Sequence, residues 1–346
     1  MWSGSTVLQR CEALEAMAGV DVVRLDRPGN DPRGPRPSLY QRVRWKLGWP
    51  ADAQHENEAI LDATARERPD VVIIDNSRMI RRGTLRKLRE LGNPTLVYYT
   101  PDDIGPHNLR GQVRSTFPEW DVFFTTKTYN IPELTARGVR RVVLIGKAFD
   151  PALHRPLTRK EVGEDFERWD LVFIGTYEKE RRDGVNLLAQ QGMSVVVYGN
   201  GWDASRLAAG VDLRPAKVGH DYTCAMHTGK VALCFLRKLN GDQITQRTME
   251  IAAMARPMLA NKTDEHDAHF VDGLEYVGFS NDDEFLEKAR FLLSDDSQRS
   301  RIAAAANSRC WTSGYSTTDR AVQMVAELVK AVDQRASKAA RKDGGT

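Results

Sequence analysis

The stretch from residue 237 to 255, RKLNGDQITQRTMEIAAMA, combines the residue types that bind phosphates and sugar hydroxyls. An apolar run ends at Phe235, a polar loop follows, and a helical pattern begins near Thr245. Backbone N–H groups at the start of a helix attract anions. Basic side chains accompany them at Arg237, Lys238 and Arg247. The stretch therefore predicts a site for a phosphate group.

An acidic residue follows on the same predicted helix. Glu250 lies three residues after Arg247, so the two side chains share one helix face. A carboxylate there could accept two hydrogen bonds from a ribose diol, as acidic residues do in dinucleotide-binding folds. The alternative is an ordinary Arg-Glu pair on a solvated face.

Two aspartates follow another apolar run. Asp102 and Asp103 come shortly after the run from Thr95 to Thr100. Residues beyond the carboxyl ends of parallel strands line the crevice where α/β proteins bind ligands, so either carboxylate is a candidate general base. The alternative is that an aspartate after Pro101 only caps the next turn.

The sequence GNGWDA at 199–204 matches G-x-G-x-x-A after a predicted strand, with Asp221 about twenty residues further on. It follows the second strand of its half of the chain, and Trp202 is bulky where a pyrophosphate would need space. We therefore interpret it as a turn lining another nucleotide pocket, with an NAD(P) site as the open alternative.

A group of potential metal ligands lies in one polar segment after a strand. It comprises Asp264, Glu265, His266, Asp267 and His269. Such clusters are more typical of a solvated loop, so the sequence predicts no metal site. The four cysteines are far apart and form no CxxC pair, which predicts reduced, scattered thiols.

Apolar runs alternate with helical patterns along the chain, as in parallel βαβ units covered by helices on both faces. The predicted strands are Val20–Leu25, Val71–Asp75, Thr95–Thr100, Val122–Thr126, Val142–Ile145, Leu171–Ile174, Ser194–Tyr198, Val231–Phe235 and Pro257–Ala260. The chain opens on a glycine-bearing turn and a helix, WSGSTVLQR, so the first strand of the N-terminal half is expected to be missing.

The length of 346 residues suggests two domains. The formal net charge of +3 excludes a strong overall field for nucleic acid. No apolar run is long enough for a transmembrane helix and no leader precedes the first helix, so we expect a cytoplasmic protein. The predicted division is 1–155, 156–315, a C-terminal helix at 316–333 that could pack back on the first domain, and a disordered tail at 334–346.

In order and spacing, several segments together resemble the CgeB-like glycosyltransferases, a group named after a spore maturation protein. The resemblance covers most of the chain and rests on GSTVLQR, YYTPDD, FFTTKTYNIPEL, AFDPALHRP, FIGTYEKERR, VYGNGW, NGDQITQRTMEIAAMARPMLA and the closing FVDGLEYVGF segment. It implies a GT-B architecture, in which two Rossmann-like parallel-sheet domains face a cleft.

The resemblance also implies roles for individual residues. Related retaining enzymes grip the donor with a Glu-x7-Glu element, which falls here on Asp242 and Glu250. Glu250 would hold the donor ribose. Asp242 would take the place of the first glutamate near the transferred sugar, with its carboxylate on a shorter side chain. The other implied donor contacts are Thr245 and Arg247 at the diphosphate, Gly175, Thr176, Arg181 and Arg182 opposite them, and Tyr198, Gly199 and Trp202 toward the base.

The implied reaction is the transfer of a hexose from a nucleoside diphosphate sugar, with retention, to a saccharide, protein or lipid-linked acceptor. Arginines and helix N-termini would stabilise the departing phosphate, so no metal or further cofactor is expected. Asp102 or Asp103 would face the acceptor, and one of them would be the base if the reaction inverts instead of retaining. The alternatives are an NAD(P)-dependent oxidoreductase and a non-catalytic binding protein of the same fold.

Overall fold

The computed structural model describes residues 5–25, 38–105, 109, 111–237 and 240–343, with side chains as far as residue 337. Contacts divide the chain into unit 1, Met1–Gly146 with Arg320–Thr346, and unit 2, Lys147–Asp319. Unit 2 thus begins before the boundary predicted after residue 155. The reason is that Phe149 already lies in its core and packs on Trp311, with ring centroids 4.8 Å apart.

The strands form one four-stranded and one six-stranded sheet, and all neighbouring strands are parallel. Their bounds are β1 Val71–Asp75, β2 Thr95–Thr100, β3 Val122–Thr125, β4 Val142–Leu144, β5 Trp169–Ile174, β6 Val195–Tyr198, β7 Val211–Arg214, β8 Gly229–Cys234, β9 Met258–Asn261 and β10 Val277–Phe279. The predicted parallel α/β class is therefore confirmed.

Helices connect these strands. Their bounds are α1 Thr6–Glu15, α2 Leu39–Lys46, α3 Glu56–Glu67, α4 Arg82–Glu90, α5 Gly111–Ser115, α6 Asn130–Ala136, α7 Arg159–Val162, α8 Lys179–Gln190, α9 His220–Met226, α10 Gln246–Ala253, α11 Asp264–His269, α12 Asp282–Ser294, α13 Asp296–Thr312 and α14 Thr317–Asp343. Within the described residues, no helix is both long and apolar enough to cross a membrane.

The sheet of unit 1 has the strand order β1-β2-β3-β4. Strand β2 is buried on both faces, which explains its unbroken apolar run. Tyr98 packs in a cluster with Leu85 and Leu88 of α4, whereas Val97 packs in a second cluster with Met324 of α14. Helix α14 thus covers one face of this sheet.

Two predictions for unit 1 are wrong. Residues 20–25 form no strand, and only Val22 packs against a core cluster, while the side chain of Val23 is 59% exposed. The tail predicted to be disordered from residue 334 is helical through Asp343. The Arg335 guanidinium pairs with the buried Asp121 carboxylate and donates to the Asn93 carbonyl oxygen at 2.8 Å, which holds this part of the helix on unit 1.

The sheet of unit 2 has the strand order β10-β9-β8-β5-β6-β7, the doubly wound order of Rossmann-like domains. The chain winds outward from β5 in one direction and from β8 in the other. These two strands are neighbours, with Leu171 opposite Val231. Their carboxyl ends therefore form a topological switch point, where open α/β sheets bind ligands. Strands β7 and β10, at the two edges of this sheet, were not predicted.

Candidate functional site

The turns and helices that follow β5 and β8 place the predicted donor residues at this switch point. Gly175 and Thr176 come directly after β5 and lead toward α8. Thr245 is the N-cap of α10, where its hydroxyl and that of Thr248 form a capping box. Two predicted basic residues, Arg181 on α8 and Arg247 on α10, thus lie on helices that begin beside the switch point.

Two arginine side chains come together here. Arg181 is 4% exposed, and its Nη1 donates to the Thr176 carbonyl oxygen at 2.9 Å. The buried Nε atoms of Arg181 and Arg247 have no hydrogen-bond partner within the described part of the chain. Burial lowers the pKa of Arg181, Glu178 opposes this, and the charge of Arg247 lowers it further. Two neighbouring guanidinium groups beside a switch point are suited to binding an anion.

The remaining basic residues predicted around the site differ from this pair. Arg237 is exposed, and its Nε donates to a carboxylate oxygen of Glu178 at 3.0 Å. Arg182 pairs instead with Asp183 at 2.6 Å, a contact in which neither residue is deeply buried. Lys238 lies outside the described residues. The buried positive charge at the switch point therefore comes from Arg181 and Arg247.

Glu250 is buried beside the arginines, not on a solvated face. The Tyr222 hydroxyl donates to its Oε2 at 2.5 Å, and His154 Nε2 lies 3.9 Å from its Oε1. The Asp150 backbone N–H donates to His154 Nδ1 at 2.9 Å, so neutral His154 carries its proton on Nε2, which faces Glu250. Burial, reinforced by the charge of Glu250, raises the pKa of Tyr222 well above its usual value. The tyrosine therefore remains a donor.

Two glycines allow the turns after β5 and β6 to approach each other. A Cβ at Gly199 would overlap the Gly175 carbonyl oxygen and lie 2.9 Å from Trp202 Nε1. That indole N–H donates to the same carbonyl at 2.8 Å. A Cβ at Gly175 would lie 3.5 Å from Arg247 Nη1. The Gly199 turn therefore fixes the backbone that borders the arginine pair.

Three other predicted donor-site residues contact groups other than the arginine pair. Tyr198 is 2% exposed in the core, with its hydroxyl 3.4 Å from Thr228 Oγ1. Asp242 accepts from Asn240 Nδ2 at 2.9 Å in the loop before α10. The Thr245 hydroxyl contacts Cys234 Sγ at 3.7 Å. These contacts place Tyr198 beneath the site, whereas Asp242 lies in the loop that leads to it.

In unit 1 the two candidate bases follow β2. Asn76 Nδ2 donates to Asp102 Oδ2 at 3.1 Å, and Arg78 Nη2 lies 3.9 Å from the same oxygen. The Asp103 carboxylate lies against Gly105. A Cβ added to Gly105 would be 2.7 Å from Asp103 Oδ2. Asp102 is partly exposed and held by two polar neighbours. This geometry suits a positioned base.

Sequence reasoning missed two residues of the site, His154 and Tyr222. Neither is near Glu250 in the sequence, and each reaches it only through the fold of unit 2. His154 lies in AFDPALHRP, a segment singled out only for its resemblance. Its ring packs edge-on to that of Tyr222, with centroids 5.8 Å apart.

The two remaining motifs have structural explanations. GNGWDA is followed by a short 3-10 helix at Ala204–Arg206 and not by the regular helix that a dinucleotide turn needs. The acidic segment is helix α11 and not a loop. Its His266 bridges the Asn261 carbonyl at 2.8 Å and the Thr248 hydroxyl at 2.9 Å, and burial lowers its pKa to about 4. Among the described residues, no cluster could hold a metal ion.

Residues 181–326 match the model of a family described as glycosyl transferase-like. No curated protein matches the chain in sequence. Of the solved structures, Anabaena HepE in complex with UDP and glucose has a TM-score of 0.59 and 10% identity, covering 78% of this chain and 81% of that one.

Other solved structures are similar to the same extent. A sucrose-phosphate synthase from Thermosynechococcus elongatus has a TM-score of 0.59 and 13% identity, covering 81% of this chain and 77% of that one. A glycosyltransferase from Rickettsia africae has a TM-score of 0.58 and 9% identity, covering 80% of each chain. The chain therefore has the GT-B fold, and its residues 181–326 are similar to a glycosyl transferase-like family.

Proposed function

We propose that the protein is a glycosyltransferase that takes a sugar from a nucleoside diphosphate sugar and that unit 2 binds this donor. The observation that carries the proposal is the arginine pair at the switch point, where burial and then the nearby charge of Arg247 both lower the pKa of Arg181. A diphosphate would accept hydrogen bonds from accessible guanidinium N–H groups and offset the positive charge of the pair. The family match over residues 181–326 supports the same conclusion.

Glu250 supplies the second donor contact. Its carboxylate lies one helical turn from Arg247, and Tyr222 fixes its Oε2 at 2.5 Å. We propose that Oε1, which faces His154, accepts from the donor ribose. A carboxylate held by a buried tyrosine keeps its orientation when the ligand leaves, so the ribose meets a preformed site.

The proposed chemistry follows from these charges. When the bond from the sugar to the diphosphate breaks, negative charge develops on the departing phosphate. Arg181, Arg247 and the N-terminal N–H groups of α10 would stabilise that charge, so we propose that the reaction needs no metal or further cofactor. Asp242 would lie near the transferred sugar, and Asp102 is the candidate group for the acceptor hydroxyl.

The finer assignments are proposals of the same kind. We propose transfer of a hexose with retention and membership of the CgeB-like group, as the sequence resemblance implies. The acceptor would be a saccharide, a protein or a lipid-linked sugar, and the location cytoplasmic. UDP is the first nucleotide to test, because HepE, which shares the fold, is described in complexes with UDP and UDP-glucose.

Calorimetric titration of UDP, GDP, dTDP and NADH into the full chain tests the donor site. One of the diphosphates should bind, and Arg181→Gln should weaken it about 100-fold, since a charge-assisted hydrogen bond contributes about 1.5–3 kcal/mol. Glu250→Gln should weaken the same nucleotide but affect inorganic pyrophosphate little, because pyrophosphate has no ribose.

Arg290→Gln is the matched control, since this exposed arginine on α12 lies outside the site and donates a hydrogen bond to the Gln191 side chain at 2.7 Å. Binding of NADH without any nucleoside diphosphate would overturn the proposal in favour of an oxidoreductase. Release of a nucleoside diphosphate from a panel of nucleotide sugars then tests catalysis, and NMR of the product anomer tests retention.

A further inference from the structure

Helix α2 of unit 1 has no buried residue. Three of its residues and the one after it expose large apolar side chains, with exposures of 74% at Leu39, 62% at Tyr40, 46% at Val43 and 68% at Leu47. Exposed apolar residues are normally scattered singly over a surface, and a contiguous group of them marks a surface for interaction.

The exposed side chains lie on one side of the helix. Leu39, Val43 and Leu47 follow each other at four-residue steps, and at about 100° per residue they and Tyr40 span an arc of roughly 100°. We call these four residues the α2 apolar face.

The other end of α2 is attached to unit 1. The Gln112 backbone N–H donates to the Gly48 carbonyl oxygen at 2.9 Å. The guanidinium of Arg78 lies 5.4 Å from the centre of the Trp45 ring. These contacts hold the helix on unit 1 through residues outside the α2 apolar face.

The charge around this face has one sign. Arg42, Arg44 and Lys46 alternate with the apolar residues, and the sequence has no acidic residue from position 38 to position 51. The formal net charge of the whole chain is only +3, so this positive segment is a local feature. An apolar arc flanked by cations and aromatic rings is the pattern of helices that lie in the interface of a bilayer.

We propose that α2 binds the surface of an anionic membrane. Leu39, Val43 and Leu47 would enter the boundary between headgroups and acyl chains, while Arg42 and Lys46 would lie at the level of the lipid phosphates. The helix lies on the bilayer and does not span it. The proposal is independent of the proposed transferase activity, since it uses no residue of unit 2.

Charge and shape favour a membrane over a protein partner. A helix of 8 residues presents less surface by itself than the ~800 Å² per partner that a stable protein interface buries. The core of a protein interface is also depleted in lysine, whereas here Lys46 lies directly before Leu47. A bilayer accepts a short convex stripe because lipids adapt to its shape.

Flotation of the full chain with vesicles tests the proposal. One set of vesicles contains phosphatidylcholine alone and the other equal parts of phosphatidylcholine and phosphatidylglycerol. The test variant is Leu39→Glu with Leu47→Glu. The matched control is Val322→Glu with Val329→Glu, two valines of α14 that are 53% and 52% exposed. Thermal unfolding of both variants should match wild type, because every substituted side chain is exposed.

Wild type should float with the anionic vesicles and release as ionic strength rises from about 0.1 M to about 1 M, where the Debye length falls from about 10 to 3 Å. Each leucine replacement should cost at least about tenfold in partitioning, and the pair about 100-fold. The α14 control should float as wild type does. Equal flotation of the α2 variant, or no flotation of wild type, would overturn the proposal. A wild-type dimer that the α2 variant dissociates would instead assign the face to a second copy.

Discussion

Replacing Gly199 by alanine should destabilise unit 2 and distort the donor site. The added Cβ would overlap the Gly175 carbonyl oxygen, lie 2.8 Å from the carbonyl carbon and lie 2.9 Å from Trp202 Nε1. These atoms belong to the backbone and to a ring held by a 2.8 Å hydrogen bond, so none can yield as a flexible chain end would. The turns after β5 and β6 must therefore separate.

The cost has two parts. Overpacking of this kind costs about 1–3 kcal/mol, and loss of the indole hydrogen bond adds about 1 kcal/mol. A total of about 3 kcal/mol corresponds to a decrease in Tm of roughly 6–12 °C for a unit of this size. Nucleotide affinity should fall as well, because the Gly175 backbone borders Arg247.

Thermal unfolding followed by circular dichroism measures the effect, and Gly83→Ala is the control. Gly83 lies in α4 with nothing near an added Cβ, so this substitution should stabilise unit 1 by about 0.5–1 kcal/mol. Opposite signs for the same chemical change would support the packing argument. A Gly199→Ala protein that unfolds within about 1 °C of wild type would show that the two turns are not in contact.

Three further outcomes are expected. Tyr222→Phe, which removes the donor to Glu250, should cost about 1.5–3 kcal/mol in urea unfolding and weaken nucleotide binding without abolishing it. Burial lowers the pKa of His227 to about 4, so its stabilising effect is complete above the unfolded pKa of about 6.5 and is lost as the pH falls toward 4. Wild type should therefore lose about 2 kcal/mol from this residue between pH 7 and pH 5, and His227→Gln should show a correspondingly smaller loss over the same interval. Arg335→Ala should cost less than about 1 kcal/mol by chemical denaturation, because the buried Asp121 keeps ion pairs to two other arginines, at 2.7 and 2.9 Å.

The strands predicted from the sequence are those that read as runs of apolar residues, and most of them are buried. Strand β2 reads TLVYYT because α4 covers one side of it and α14 the other. Strands β7 and β10 escaped prediction because charged residues or a glycine interrupt their apolar residues, in VDLR and VGF. At residues 20–25 a strand was predicted that the structure lacks. An apolar run forms a strand only where a neighbouring strand pairs with it, and no described strand pairs with this segment.

Some residues of the candidate site were predictable from the sequence and others were not. Arg247 and Glu250 were predictable because both lie on the first turns of one helix after a strand, where spacing alone defines their geometry. Arg181 came only from the resemblance, since nothing in KERR distinguishes it from Arg182. Their difference arises from α8, which buries the first and leaves the second partly exposed. Contacts between distant segments, such as Tyr222 with Glu250, cannot be inferred from one sequence.

The arginine pair links the stability of unit 2 to its ligand. Burial lowers the pKa of Arg181 and the charge of Arg247 lowers it further, whereas Tyr222 and Glu250 raise the pKa of Arg247 against the effect of burial. Glu178 offsets part of the effect on Arg181 at 3.5 Å, but both Nε donors stay unsatisfied within the described residues. An arrangement that served only folding would replace one arginine by an apolar residue. Two neighbouring guanidinium groups at a switch point are physically reasonable if an anion binds there, because its negative charge then offsets their repulsion. The unfavourable free energy of the arginine pair in the ligand-free protein would then decrease on binding, which strengthens the affinity for the diphosphate.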